Sequence, residues 1–396
     1  MTRFGDGLAV GPDLLHAAES AVEQAVTSVH PAPPDLLCVF VSGDDPDHVE
    51  SAGRHAAEVS GARTTLGCSA SGVIGGNRGV EMTSAVSAWA AALPGVRITP
   101  FHLETVRGEE ALIVTGIPER HDDDAVGVLL ADPYTFPIDA FVERSNQVLG
   151  GLPLIGGIAT GPRGEGSTRL FVEGRAVGNG AVGVLLGGPV AARTVVSQGC
   201  RPIGPPMVVT GADDNVLYEL AGTPAVSKLE EIVSALPPTD QALAAEGLQI
   251  GIAIDEYAEQ HERGDFLIRG VAGMDETSGA LVVGDVVSVG RTVRFQVRDA
   301  ATAEEDLTEL LARFQEDGTF GPVEGALLFS CNGRGSNLFP SADHDVLAVR
   351  KGLQTTGIGG FFAAGEIGPV AGRNHIHGFT ASILAFGRQR EGADPS

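Results

Sequence analysis

Cys331-Asn332-Gly333-Arg334-Gly335, Gly359-Gly360-Phe361-Phe362-Ala363-Ala364-Gly365-Glu366-Ile367-Gly368-Pro369 and Asn374-His375-Ile376-His377-Gly378-Phe379-Thr380 carry the most information in this chain. The apolar run Ala326-Leu327-Leu328-Phe329-Ser330 leads into the first of them and reads as a strand. Glycines let a backbone turn tightly and approach a ligand closely. Between them sit a thiol, two amides, a guanidinium, a carboxylate and two imidazoles. Polar groups projecting from strand ends around a glycine-lined hollow are what a small-molecule site needs.

Outward from that stretch, the same order of elements recurs. Leu36 to Val41 reads as a short strand, followed by a helix that starts at Asp45-Pro46 and stops at Gly61. A second strand then runs into Gly67-Cys68-Ser69-Ala70-Ser71-Gly72-Val73-Ile74-Gly75, which overlays Gly360 to Gly368 at Gly67/Gly360, Ala70/Ala363, Gly72/Gly365, Ile74/Ile367 and Gly75/Gly368. Val126 to Leu130, a helix over Ile138 to Val148 and Gly156-Gly157-Ile158-Ala159-Thr160-Gly161 form another copy, and a weaker one starts at Leu248-Gln249-Ile250-Gly251-Ile252. Repetition of this kind predicts internal duplication. Further helices are expected over Asp13 to Val29, from Thr223-Pro224 onward, and over Glu304 to Asp317, each from an apolar stripe at helical spacing. Strands mixed with single helices predict an α/β or α+β fold, in two internally duplicated domains with mixed, largely antiparallel sheets covered by helices. The turn-rich run Gly199 to Pro206 places the boundary, giving domains 1–200 and 201–396.

At 396 residues, 43% of them apolar, the chain is long enough for two buried cores. A formal charge of -25 argues against a nucleic-acid partner and against an anionic membrane surface. Met1 to Val10 holds no apolar signal core, and no apolar run is long enough to span a bilayer, so a cytoplasmic protein is expected. Cys38, Cys68, Cys200 and Cys331 are far apart and form no Cys-x-x-Cys pair, which fits reduced thiols and no zinc site.

Each candidate residue has a functional and a structural reading. Cys331 is a nucleophile, a soft pocket contact or a small buried thiol; Cys68 and Cys200 read as structural. Arg334 and Arg201 sit in glycine-rich turns and suit a two-pronged grip on a ligand carboxylate, or an internal ion pair. Glu366 accepts a ligand amine or pairs with Arg334 or Arg373. His375 and His377, two apart, share one face of a strand, and read as satisfied polar histidines rather than metal ligands. Asn332 and Asn374 bond their own turns first and a ligand second.

These residues resemble the FIST family, built from an N-terminal and a C-terminal FIST domain. The resemblance rests on Thr65-Leu66-Gly67-Cys68-Ser69-Ala70, on Ser197-Gln198-Gly199-Cys200-Arg201-Pro202-Ile203-Gly204, on Leu328 to Gly335, and on Gly360 to Pro369 with Asn374 to Thr380. It implies a sensory module that binds a small polar ligand, such as an amino acid, and feeds a separate signalling protein, with no cofactor. The expected ligand-binding set is Cys331, Asn332, Arg334, Glu366, Asn374 and His375, with Cys200 and Arg201 from the inter-domain turn. Two other classes stay open: a thiol-dependent hydrolase or transferase using Cys331 with His375 or His377, and an interaction scaffold presenting an acidic surface.

Overall fold

The computed structural model describes residues 2–108, 111–258, 261, 264–318 and 320–389. These form two compact units. The first takes the chain up to Val196, then Leu307–Ile376 and the chain from Thr380 on; the second is Ser197–Asp306 with His377–Phe379. The chain does leave the first unit beside the predicted boundary. It returns at Leu307, however, so the compact units are not the two consecutive halves 1–200 and 201–396.

The first unit begins with β1 (Arg3–Val10), α1 (Leu14–Val29), β2 (Leu36–Ser42), α2 (Pro46–Ser60), β3 (Thr64–Ser69), β4 (Gly72–Gly75), β5 (Arg78–Glu81) and β6 (Ala85–Ala92). It continues with β7 (Arg97–Arg107), β8 (Leu112–Thr115), β9 (Asp124–Ala131), α3 (Ile138–Val148), β10 (Leu154–Ile158), β11 (Leu170–Val172), β12 (Arg175–Val177), β13 (Ala181–Gly187) and β14 (Ala191–Gln198). The second unit supplies β15 (Cys200–Pro202), β16 (Met207–Asp213), β17 (Val216–Leu220), the two-residue β18 (Thr223–Pro224), α4 (Ala225–Ser234), α5 (Pro238–Glu246), β19 (Leu248–Ala253), β20 (Phe266–Asp275), β21 (Ala280–Val283) and β22 (Thr292–Arg298). Then follow α6 (Ala300–Glu316), β23 (Phe320–Cys331), α7 (His344–Leu353), β24 (Gly357–Ala363), β25 (Glu366–Val370), β26 (Arg373–His377) and β27 (Thr380–Gln389).

Local chemistry explains the boundaries. The Asp13 carboxylate accepts the Leu15 and His16 amides and starts α1; Asp45 does the same for α2. Gly61, at φ 63°, ends α2 in the left-handed conformation that glycine adopts without strain. Strand β2 is buried at every position, so it reads as a continuous apolar run instead of an alternating one.

Three sheets make the first unit. Their strand orders are β1-β6-β2-β3-β11-β12, β8-β7-β13-β9-β10-β25-β26 and β14-β27-β23-β24-β4-β5. Each has the same centre: a parallel pair joined through a helix (β2/β3, β9/β10, β23/β24), flanked by an antiparallel return strand (β6, β13, β27). The hairpin after each second parallel strand joins a different sheet. Thus β4 pairs with β24, β11 with β3, and β25 with β10, so the three hairpins are exchanged in a cycle. Gly67, Gly156 and Gly360 hold equivalent places opposite Val39, Leu129 and Leu328. A Cβ at any of the three would stand 1.8–1.9 Å from that partner's carbonyl oxygen, so only glycine permits the close approach.

The inner faces of the three sheets share one core, where Phe40 stacks on Phe361 at 5.0 Å and Phe329 meets Phe361 edge-on at 5.6 Å. The outer faces are covered separately. α1 and α2 cover the first sheet, α3 the second, and α6 with α7 the third.

In the second unit the strands run β22-β16-β17-β21-β20-β19, and β19 pairs back with β22 to close a ring, with β15 beside β22. α4 packs into the core formed by these strands. The Leu248 segment is β19, antiparallel to both its neighbours. It is therefore not a copy of the parallel-pair unit; its short Gly/Ile string matched without the connectivity. The fold class is α+β, with mixed and largely antiparallel sheets.

Candidate functional site

The site forms where β23 and β24 end, the carboxyl edge at which open parallel strands present side chains and turns to ligands. Cys331 is the last residue of β23, opposite Ala363. The Asn332 amide donates to the Ala363 carbonyl (2.8 Å), and the Arg334 amide turns back to the Cys331 carbonyl (2.8 Å). That turn drives Arg334 inward until it is fully buried. Its Nε and Nη2 donate to the two carboxylate oxygens of Asp345, at 2.7 and 2.8 Å. Asp345 lies in the first turn of α7, where a carboxylate is favoured. It also accepts from Ser330 Oγ (2.7 Å) and contacts His344 Nδ1 (3.0 Å). The Phe339 ring stacks on His344 and underlies the Arg334 guanidinium at 5.2 Å. Burial opposes both charges, yet each holds the other: Asp345 falls well below the usual carboxylate range and Arg334 rises above its ordinary value.

Glu366 opens β25 opposite Gly157 and is also fully buried. Its Oε2 accepts the Thr380 amide (3.1 Å) and the Thr380 hydroxyl (2.9 Å), and the Cys331 thiol contacts the carboxyl group. Burial nonetheless pushes Glu366 up to about 8, against the lowering effect of those bonds and of Arg334. At neutral pH the group is mostly the neutral acid. Among the buried side-chain atoms without a nitrogen or oxygen partner, two face this cluster of charged groups: Oε1 of Glu366 and Nη1 of Arg334. Unpaired buried polar atoms are uncommon and mark sites that await a ligand or water. Glu366, distant in sequence, interacts here with Cys331 and Arg334.

Other predicted residues fare differently. Arg334 keeps only Nη1 for a ligand, because Asp345 occupies the two-pronged face expected to grip a carboxylate. Asn374 is a structural clamp. Its Oδ1 accepts the Leu154 amide (2.8 Å), and its Nδ2 donates to the Leu152 carbonyl (2.9 Å) and Ser145 Oγ (3.3 Å). That leaves it no free donor for a ligand. Asn332 accepts from Ser71 Oγ at 2.6 Å, tying β23 to the turn before β4. Arg201 lies in the second unit, where Asp240 takes Nη1 and Nη2 (3.3 and 2.8 Å) and Asp299 takes Nε (3.0 Å). It is an internal ion pair there and has no free face to grip a carboxylate. Cys200 is fully buried against Ala253, Phe266 and Ile268 of the same unit. Glu366 meets neither expectation of an ion pair, with Arg334 or with Arg373, among the described residues. His375 is half-buried and His377 buried on β26. Among the described residues no group of three His, Cys, Asp or Glu side chains is placed to hold a metal ion.

Asp345, Ser330 and Thr380 belong to the site although the sequence motifs do not single them out. Asp345 carried a signal, an acid in the first turn of the helix that follows a glycine turn containing arginine. Ser330 and Thr380 carried none beyond lying inside informative motifs.

The FIST N domain matches residues 35–223 and the FIST C domain residues 225–369. An uncharacterized Mycobacterium tuberculosis protein, Rv0628c, is 43% identical over 97% of this chain and 99% of its own length. An uncharacterized Mycobacterium bovis protein, Mb0898c, is 41% identical over 97% of this chain and 98% of its own. The chain belongs to the FIST family. FIST domains are associated with sensory signal transduction and the binding of small ligands. No helix among the described residues is long and apolar enough to cross a membrane.

Proposed function

We propose that this protein is a cytoplasmic sensor that binds an amino acid or a related polar metabolite at the ends of β23 and β24, with Cys331, Arg334 and Glu366 as contacts. The observation that carries this reading is the pair of buried atoms without a nitrogen or oxygen partner, Glu366 Oε1 and Arg334 Nη1. One ligand with an ammonium and an oxygen anion satisfies both. Arg334 Nη1 donates to the ligand oxygen. The ammonium stands at Oε1, where its charge favours the carboxylate, so Glu366 gives up its proton as the ligand binds. Occupancy of the site is then passed to a separate signalling protein. The recurring parallel-pair unit supports an origin by internal duplication, with the polar chemistry developed in the third copy.

The test is calorimetric titration of free amino acids at pH 7 in two buffers of different ionisation enthalpy, preceded by native mass spectrometry of the protein as purified. Binding should release close to one proton, and Glu366→Gln should abolish that release. A ligand whose affinity is unchanged in both Glu366→Gln and Arg334→Lys binds elsewhere and overturns the assignment.

A further inference from the structure

The three sheets differ in what covers them. On the first sheet, α1 lies between β1 and β2 in the chain and packs on the outer face beside α2; on the third, α6 holds the same place before β23. The corresponding stretch of the second sheet, between β7 and β9, has β8 and an irregular segment instead of a helix among its described residues. α3 alone covers that face. Where the second helix would lie there is a groove of about 380 Å³, lined by Leu112, Val114, Ile117, Phe141 and Val148, with Arg144 as the charged side chain in its lining. Leu112, Ile117 and Val148 are exposed. Arg144 is exposed on α3, and no ion pair holds it among the described residues.

We propose that this groove is a second binding site, for a small molecule with an apolar body and a single anionic head, such as a medium-chain carboxylate. Size selects a small molecule. The groove falls within the roughly 300–1,000 Å³ of ligand sites. Composition selects the apolar body, since apolar side chains make up nearly the whole lining. Charge selects the head. In a chain of net charge -25, an unpaired guanidinium at the rim of an apolar groove is the place where an anion meets attraction instead of repulsion. The site is independent of Glu366 and Arg334.

Decanoate, decanol and acetate, titrated calorimetrically into the whole protein below the micelle range, test the proposal. Decanoate should bind, acetate should not, and decanol should bind about fivefold more weakly than decanoate, the gain expected of one exposed charge pair. Arg144→Gln should bring decanoate and decanol to equal affinity. Ala140→Trp, at an exposed position of the lining on α3, should fill the groove and reduce decanoate binding at least tenfold, with the circular dichroism spectrum and the melting temperature unchanged. Glu366→Gln should leave decanoate binding as it was. Decanoate binding that survives Ala140→Trp in a folded variant overturns the proposal. So does an absence of decanoate binding, or tight capture of an amphipathic helical peptide that Ala140→Trp blocks while decanoate has no effect.

Discussion

The first and third parallel pairs of the first unit share connectivity, a glycine at the same place and an outer cover of two helices, yet their strand ends differ in chemistry. At β2 and β3 the ends carry hydroxyls. Ser42 donates to the Ser71 carbonyl (3.4 Å), and Ser69 Oγ accepts the Arg169 amide (2.9 Å). The carboxylate that starts α2, Asp45, is at the surface, where the amides of Asp47 and His48 hold it below its ordinary value. At β23 and β24 an arginine and two carboxyl groups are fully buried. The first pair shows that the architecture needs no buried charge. The charges of the third are therefore not demanded by the architecture, and a buried ion pair is a poor means of adding stability.

The comparison can be broken by experiment. The largest effect should come from Asp345→Ala, which leaves Arg334 charged, buried and unpaired; a loss of about 3–5 kcal/mol is expected in urea unfolding. A small loss would mean that water reaches Arg334 and that the third pair is no drier than the first. Next comes Glu366→Gln, read as a function of pH. Glu366 binds its proton more tightly folded (about 8) than unfolded (4.5). Its contribution is thus fully present below about pH 4.5 and is lost as pH rises through 8. The variant should match the wild type near pH 4 and exceed it by a few kcal/mol near pH 9. A pH-independent difference would show that Glu366 is ionised throughout. Third, Gly67→Ala and Gly360→Ala should each cost roughly 2–3 kcal/mol, because both methyls meet a neighbouring strand's carbonyl. Unequal costs would deny the equivalence of the two pairs. The smallest effect should be Asp45→Ala, which removes a surface helix cap and costs about 1 kcal/mol.

Much of this was legible in the chain itself. The bounds of α3, the start of α1 at Asp13, the stop of α2 at Gly61 and the overlay of Gly67–Gly75 on Gly360–Gly368 follow from local patterns that carry local physics. The overlay works because each glycine string spans a second parallel strand and the start of its exchanged hairpin. Exchange itself was hidden, since the pairing of β25 with β10 joins residues some two hundred positions apart and leaves no periodic trace. The same blindness put the boundary of the second half at residue 201, when β23 to β27 belong with the N-terminal strands. At the site, residue types pointed to Cys331, Arg334 and Glu366. Their partners did not show: the bidentate hold of Asp345 on Arg334, like those of Asp240 and Asp299 on Arg201, depends on tertiary placement.

Cyclic exchange also governs how the chain is made. While the first two hundred residues leave the ribosome, β4 and β5 have no sheet to join, and β10 keeps a bare edge, because their partners β24 and β25 come last. Domains usually fold as they emerge; this unit has to wait. Its nascent form exposes apolar strand edges of the kind that invite aggregation, so its dependence on chaperones should exceed that of a protein of equal size whose sheets close in sequence.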